Sequence, residues 1–303
     1  MMGATLCSLR SGWLSICGWA MCFWQTFTNS TVHHLSRLQA DMSESVASST
    51  TGPGSRSAEQ STKKSNEPNS TAQRSTLNFN KGNLSYSFDV RTGTTDATAI
   101  EEVCKQECYK YKTFSPAFKE RWLDLGANVG AFSVWAGMQG ATIVAAVEPH
   151  PENIEMLKTN IKRHGVQAST LHGVVQWSDK PIEDLFIARE GNNYRHTTKP
   201  TRGRDSMTVP SYSFESLMKL DPHGIKLDIE GSEIPILNNC ESWRNVKKIT
   251  MEYHFDHDRS IPEFLRRMER LREHGFTVQH KRMPNQESYD YFPAACIVYA
   301  WKS

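Results

Sequence analysis

What this chain of 303 residues lacks already narrows what it can be. It has no surplus of charge: 35 Lys and Arg against 33 Asp and Glu leave +2, so nothing in the global balance points to nucleic acid, and none is predicted as a partner. It lacks a convincing membrane span, because the apolar stretch from Trp13 to Trp24 falls well short of the roughly 20 residues a spanning helix needs. Paired zinc-type cysteine spacing is missing too. The seven cysteines, Cys7, Cys17, Cys22, Cys104, Cys108, Cys240 and Cys296, are odd in number and point to reduced thiols. Cys104 and Cys108 share a helical face but form no recognised ligand set, and read as packing residues.

Two absences divide the chain. Residues 1 to 40 contain no Asp or Glu, and with Arg10 ahead of the short apolar stretch they fit a signal peptide, an organellar transit peptide or an untargeted extension equally well. Cytoplasmic, organellar and secretory or membrane-associated locations therefore all stay open. From Asp41 to Thr76 large apolar residues are almost missing, and this Ser/Thr-rich segment cannot bury enough surface to offset its ordering entropy. Residues 1–76 are thus expected to be a disordered extension, with the folded domain running from 77 to 303.

In that domain, Arg121-Trp-Leu-Asp-Leu-Gly-Ala-Asn-Val-Gly-Ala131 reads as a buried strand entering a Gly-punctuated turn and then a helix. Gly126 and Gly130 allow backbone angles and close approaches that a side chain would block. A dinucleotide fingerprint wants a second Gly two residues after the first, and here that position is Asn128. Asp124 opposes a nicotinamide dinucleotide further, since a carboxylate at the turn repels a diphosphate and favours a ligand bearing an ammonium and a sulfonium. S-adenosyl-L-methionine is such a ligand. The next strand, Ala141 to Val147, ends in Glu148-Pro149, about 20 residues past the turn, where a carboxylate can accept from both ribose hydroxyls.

The residues Asp124 to Gly130, Val147-Glu-Pro-His-Pro-Glu-Asn153 and Ile225-Lys-Leu-Asp-Ile-Glu-Gly-Ser-Glu233 together resemble the FkbM-type S-adenosylmethionine-dependent methyltransferases. Asp89 to Asp96 upstream and Met251-Glu-Tyr-His254 downstream extend the resemblance over roughly residues 77 to 303. It implies an α/β, Rossmann-like class I methyltransferase fold: a mostly parallel twisted sheet with a C-terminal antiparallel hairpin. It also implies methyl transfer to a hydroxyl oxygen of a small-molecule acceptor, whether metabolite, sugar or lipid. Gly126, Asn128 and Gly130 would then shape the cofactor turn, Asp124 hold the amino-acid end of the cofactor directly or through water, and Glu148 its ribose. A nicotinamide-dependent oxidoreductase and a non-catalytic S-adenosylmethionine-binding protein are the alternatives. Oligomeric state is not specified.

Expectations for the remaining elements follow in order. Leu84 to Phe88 alternates as a strand, and Asp96 is placed to cap a helix carrying Ile100, Val103 and Cys104. The resemblance implies that Thr95 and Asp96 lie near ligand, and the residues alone fit a turn and cap equally well. Pro151 opens a helix with Ile154, Leu157 and Ile161 on its buried face. Ala168 to Trp177 reads as one strand bordering the adenine, with Val174, Val175 and Trp177 as walls and Ser178 or Asp179 accepting from the amino group. The polar run from Gly191 to Arg204 has the length of a flap, with Arg195, His196 and Arg204 available to an anionic or sugar-like acceptor.

Asp228 arrives at the carboxyl edge of the sheet with Lys226 on the same face, while Glu233 reads as part of a helix's first turn. If the strand ending in Glu252 and His254 lies alongside, Asp228, Glu252 and His254 converge. His254 or Asp228 is then the candidate general base, and the three together are a candidate site for a divalent ion such as Mg2+. Ser260-Ile-Pro-Glu263 is a capping box ahead of a stripe formed by Phe264, Leu265, Met268 and Leu271.

Overall fold

A computed structural model of the chain describes residues 73–188, 196–255, 260–282 and 295–303. The expectations for residues 1–72, for Arg195 and the flap residues before it, and for the loop joining the last two strands lie outside the described residues.

Folded chain is under way by Arg74, three residues ahead of the expected start, where β1 (Arg74–Lys81) pairs antiparallel with β2 (Leu84–Arg91). In β2 Tyr86, Phe88 and Val90 are buried, while β1 alternates half-buried Leu77 and Phe79 with exposed polar residues. Next, α1 (Asp96–Ile100) runs on as a π-helical turn over Glu101–Lys105 and buries Ile100, Val103 and Cys104. Asp96 is not its cap. Thr95 holds that position, and Asp96 is turned inward to grip the Arg91 guanidinium with both oxygens at 2.9 and 2.8 Å.

The main sheet is built from β3 (Arg121–Leu125), β4 (Thr142–Glu148), β5 (Ala168–His172), β9 (Gly224–Leu227), β10 (Lys248–His254), β11 (Thr277–Arg282) and β12 (Ala295–Trp301), in the order β5-β4-β3-β9-β10-β12-β11. The first five of these run parallel; β12 inserts antiparallel between β10 and β11. This is the Rossmann-like sheet with its C-terminal antiparallel hairpin that the sequence implies. Trp122, Leu123, Asp124 and Leu125 are all fully buried, as a central parallel strand covered on both faces requires. The chain winds outward in opposite directions from β3, so a crevice opens over the carboxyl ends of β3 and β9.

Ala168 to Trp177 is not one strand. It breaks at Gly173, after which β6 (Val174–Gln176) joins a separate sheet with β7 (Ile182–Phe186) and β8 (Ser206–Ser213), ordered β6-β8-β7. A Cβ at position 173 would stand 2.5 Å from the Pro210 carbonyl oxygen, so glycine lets β8 pass close by and turns the chain out of the main sheet. Pro210 and the exposed Ser206 conceal β8 in the sequence, because proline cannot donate to a ladder.

Of the helices, α2 (Ala131–Met138) follows the glycine turn and α3 (Pro151–Arg163) buries Ile154, Leu157 and Ile161 together with Asn153 and Asn160. Two short helices, α4 (Phe214–Met218) and α5 (Glu233–Asn239), flank β9 in sequence. The last, α6 (Ile261–Glu273), is capped by Ser260, whose Oγ accepts from the Glu263 N–H at 3.3 Å. Phe264, Met268 and Leu271 are buried, but Leu265 is 51% exposed and Arg267 takes the inner position, donating to Tyr253 Oη at 2.7 Å. Among the described residues the thiols of Cys104, Cys108, Cys240 and Cys296 are free, and no helix is long and apolar enough to cross a membrane.

Candidate active site

The turn after β3 is tied down by its backbone. Gly126 and Ala127 both donate to the Val147 carbonyl, at 3.0 and 2.9 Å. Gly126 has φ +81°, and a Cβ there would lie 1.7 Å from the Asp228 carbonyl oxygen, so the end of β9 can sit against the turn only if residue 126 has no side chain. Asn128 is also left-handed, at φ 49°, and its N–H donates to Glu148 Oε2 at 2.8 Å. The Asn128 side-chain oxygen is buried without a protein partner, which suits a turn that awaits a donor from a ligand.

Above this turn lies a cavity that opens at the carboxyl ends of β3, β4 and β9. Gly126, Asn128, Glu148, Val175, His196, Asp228 and Glu230 are among the residues that line it. Glu148 is 4% exposed and accepts from Asn128 N, His150 N and Asn153 Nδ2 at 2.8, 2.9 and 3.1 Å. Burial pushes its carboxyl up to about 7, and those three donors pull the other way. His196 and Thr198, in the described part of the expected flap, line the cavity, and this stretch is tied to the segment after β9 by Thr197 Oγ1 donating to the Glu230 carbonyl and Thr198 sharing a hydrogen bond with Ser232. His196 stacks on His150 with ring centroids 4.3 Å apart.

Beside Asp228 the parallel pairing of β9 and β10 brings Glu252 and His254 to the same place. One ligand atom from each of Asp228, Glu252 and His254 can be chosen so that all lie within 4.8 Å of one another. His254 Nε2 faces Glu230 at 3.5 Å, Glu252 at 3.7 Å and Asp228 at 4.0 Å, while Nδ1 and the backbone N–H both meet Glu233 Oε1 at 3.0 Å. Burial alone would lower the imidazole pKa; Glu230 and Glu233, followed by Glu252, outweigh it and raise the pKa well above the ordinary value. Burial and the neighbouring Asp228 push Glu252 up to about 7. Lys226 is also fully enclosed, 3.4 Å from both Asp124 and Asp228 and donating to the Gly126 carbonyl. Tyr109 Oη donates to Asp228 Oδ2 at 3.0 Å.

Residues 124–278, just over half of the chain, match the family described as Methyltransferase FkbM domain. The chain belongs to the FkbM methyltransferase family. It is an S-adenosylmethionine-dependent methyltransferase, and the dinucleotide oxidoreductase alternative falls away. Among solved structures, this methyltransferase is similar to M. jannaschii TYW2 in complex with AdoMet, with 11% identity over 75% of this chain and 86% of that one and a TM-score of 0.40. It is also similar to precorrin-6Y C5,15-methyltransferase from Geobacter metallireducens, with 14% identity over 70% of this chain and 93% of that one and a TM-score of 0.38. These likenesses are distant, and the assignment rests on the family match together with the strand order. No curated protein matches the chain.

Several expected site residues are placed elsewhere. Asp124 is fully buried, accepting from Ser133 Oγ at 2.6 Å and paired with Lys226, and it is not among the residues lining the cavity. Asp179 is exposed and Trp177 lines a different recess with Phe214 and Met218, because the break at Gly173 redirects the chain. Thr95, Asp96 and Arg204 do not line the cavity either. Glu233 does stand in the first turn of a helix, and it also holds His254. Missed altogether were Tyr109, which donates to Asp228 from the N-terminal layer, and Glu102, whose carboxyl is raised by burial and then by the Asp228 charge; Glu230, left-handed at φ 49°, was seen beside Asp228 but given no role. Only tertiary contact reveals the first two, since Tyr109 and Asp228 lie 119 positions apart.

Proposed function

We propose that this methyltransferase methylates a hydroxyl oxygen of a small molecule, such as a sugar, lipid or other metabolite, through a catalytic domain that occupies residues 77–303 and the few before them. The reading is carried by one observation: the glycine turn, Glu148, Asp228 and Glu230 line the same cavity. Bound S-adenosylmethionine supplies an electrophilic methyl group on a positively charged sulfur, so the protein has chiefly to align the acceptor and remove its proton. Gly126, Asn128 and Gly130 shape the cofactor turn, and Glu148 takes the ribose hydroxyls with its remaining acceptor capacity. Asp124 acts through Lys226 and the turn, rather than by direct contact. Val175 forms part of the wall beside the base; Asp179 has no part in it.

Asp228 receives the acceptor proton. It reaches the cavity, and Tyr109 and Lys226 hold it in place. His254, kept protonated by the carboxylates around it, is an electrostatic partner of Asp228 rather than the base. A second reading is supported by the convergence of Asp228, Glu252 and His254: a divalent ion, Mg2+ in the first instance, would bind there. Glu233 already occupies Nδ1, so Nε2 is the imidazole atom offered to a metal, and binding would displace its proton.

The test is transfer of labelled methyl from S-adenosylmethionine by the full chain to panels of sugars, lipids and hydroxylated metabolites, with and without chelator. An alkali-stable, ether-linked label that falls at least about 100-fold in Asp228→Asn fits the proposal. Cofactor binding with no turnover on any panel brings back the non-catalytic reading. Loss of activity in chelator with recovery on adding Mg2+ supports the metal, and full activity in chelator removes it.

A further inference from the structure

Arg91 lies outside the segment that matches the family and does not line the cavity, yet it is 5% exposed and its guanidinium is engaged on every side. Nε and Nη2 clamp Asp96, and Nη1 reaches Glu152 at 3.2 Å. Nη2 also donates to the Asn153 side-chain oxygen at 2.6 Å. That last contact decides which way an amide faces. With Oδ1 held by Arg91, the Asn153 amide presents Nδ2 in the other direction, where Glu148 Oε1 accepts it at 3.1 Å. Without the guanidinium Oδ1 loses this donor, so the orientation of the amide is held less firmly against a turn that would bring its oxygen into a clash with the carboxylate. Asn153 and Glu148 are 1% and 4% exposed, so water is poorly placed to relieve that clash. The charge of Arg91 is largely cancelled by bidentate Asp96, leaving orientation rather than charge as its effect on Glu148.

We propose that Arg91 is a positioning residue of the cofactor site, acting through Asn153 to fix the Glu148 carboxylate for the ribose hydroxyls of S-adenosylmethionine. The β1–β2 hairpin is thereby part of the methyltransferase site and not only a cover for α3. This inference rests on the reading that Glu148 contacts the cofactor.

The experiment is a double-mutant cycle on the full chain, with S-adenosylhomocysteine binding measured by calorimetry for wild type, Arg91→Lys, Asn153→Ala and the double variant. Arg91→Lys keeps a cation against Asp96, so no buried carboxylate is stranded, but it gives up the planar fork that reaches Asn153. Each single variant should weaken binding on the order of tenfold, the worth of a hydrogen bond to a charged group, and the double variant should bind no more weakly than Asn153→Ala. In the amide spectrum, the side-chain NH2 pair that is missing from Asn153→Ala should be displaced in Arg91→Lys. If Arg91→Lys does not fold, Arg91→Gln with Asp96→Asn, which removes both charges together, takes its place. Single effects that multiply, or an undisturbed Asn153 amide in the Arg91 variant, overturn the proposal. Wild-type affinity in Glu148→Ala overturns the ribose reading itself, whichever way the cycle turns out.

Discussion

Replacing Glu233 by glutamine tests whether the site is built around a buried ion pair. In the native chain the fully buried Glu233 carboxylate accepts from Gly231 N at 2.8 Å and from both His254 N and Nδ1 at 3.0 Å. A glutamine can keep its oxygen toward His254 only by turning its NH2 against the Gly231 N–H. That leaves one buried donor unmet and the imidazolium without its nearest countercharge. Removing one partner of a buried pair costs about 3–5 kcal/mol. Because Glu230 and Glu252 remain at 3.5 and 3.7 Å from Nε2, the low end applies. A loss of about 3 kcal/mol should lower the melting temperature by roughly 6–12 °C for a domain of this size.

The pH dependence has a definite sign. The folded imidazole pKa lies above its unfolded value near 6.5, so its stabilisation is complete below 6.5 and fades as pH rises through the higher folded value. In Glu233 burial favours the neutral acid, but His254 outweighs it and lowers the pKa, so its contribution is present above 4.5 and fades as pH falls through the folded value. Glu233→Gln should therefore flatten the alkaline loss of stability, and the His254 ring resonances should titrate at lower pH than in wild type. Urea unfolding in chelator, repeated across pH, is the assay. A loss under about 1 kcal/mol with an unchanged imidazole titration would refute the ion pair as the organising contact.

Other outcomes follow from the same geometry. Gly126→Ala places a methyl group 1.7 Å from the Asp228 carbonyl and should abolish S-adenosylhomocysteine binding while lowering stability by about 3 kcal/mol or more, measured by calorimetry and melting. Glu252 is raised to about 7, so as pH climbs from 4.5 to 7 the folded state progressively loses stability to its ionisation; Glu252→Gln should remove that slope and leave the variant the more stable form at pH 8 in chelator. Ser133→Ala strands one oxygen of the fully buried Asp124 and should cost about 1.5–3 kcal/mol in urea unfolding.

Much of the frame was legible because it is local. The run from Trp122 to Leu125, the apolar face of α3 and the Ser260 cap each state their structure within a few residues, and all three are found. The convergence of Asp228, Glu252 and His254 was legible for a related reason: two strands ending in acidic residues meet if they are neighbours, and β9 and β10 pair. What could not be read depends on distant backbone. Asp124 looks like a ligand-facing carboxylate from its position beside the turn, but it is fully buried and pairs with Lys226, its register partner on the neighbouring strand. Asp179 fails through one close approach, that of Pro210 to Gly173, which no local pattern encodes. Arg91 and Tyr109 act on residues 62 and 119 positions away, across elements whose packing only the tertiary fold defines.

The measurement closest to the central claim is calorimetric titration of the full chain with S-adenosylhomocysteine and, separately, NAD, in wild type and in Glu148→Ala. Saturable binding of S-adenosylhomocysteine, weakened by the substitution, with no binding of NAD, is the predicted result. Binding of NAD in its place, or affinity for S-adenosylhomocysteine that ignores Glu148, would contradict it.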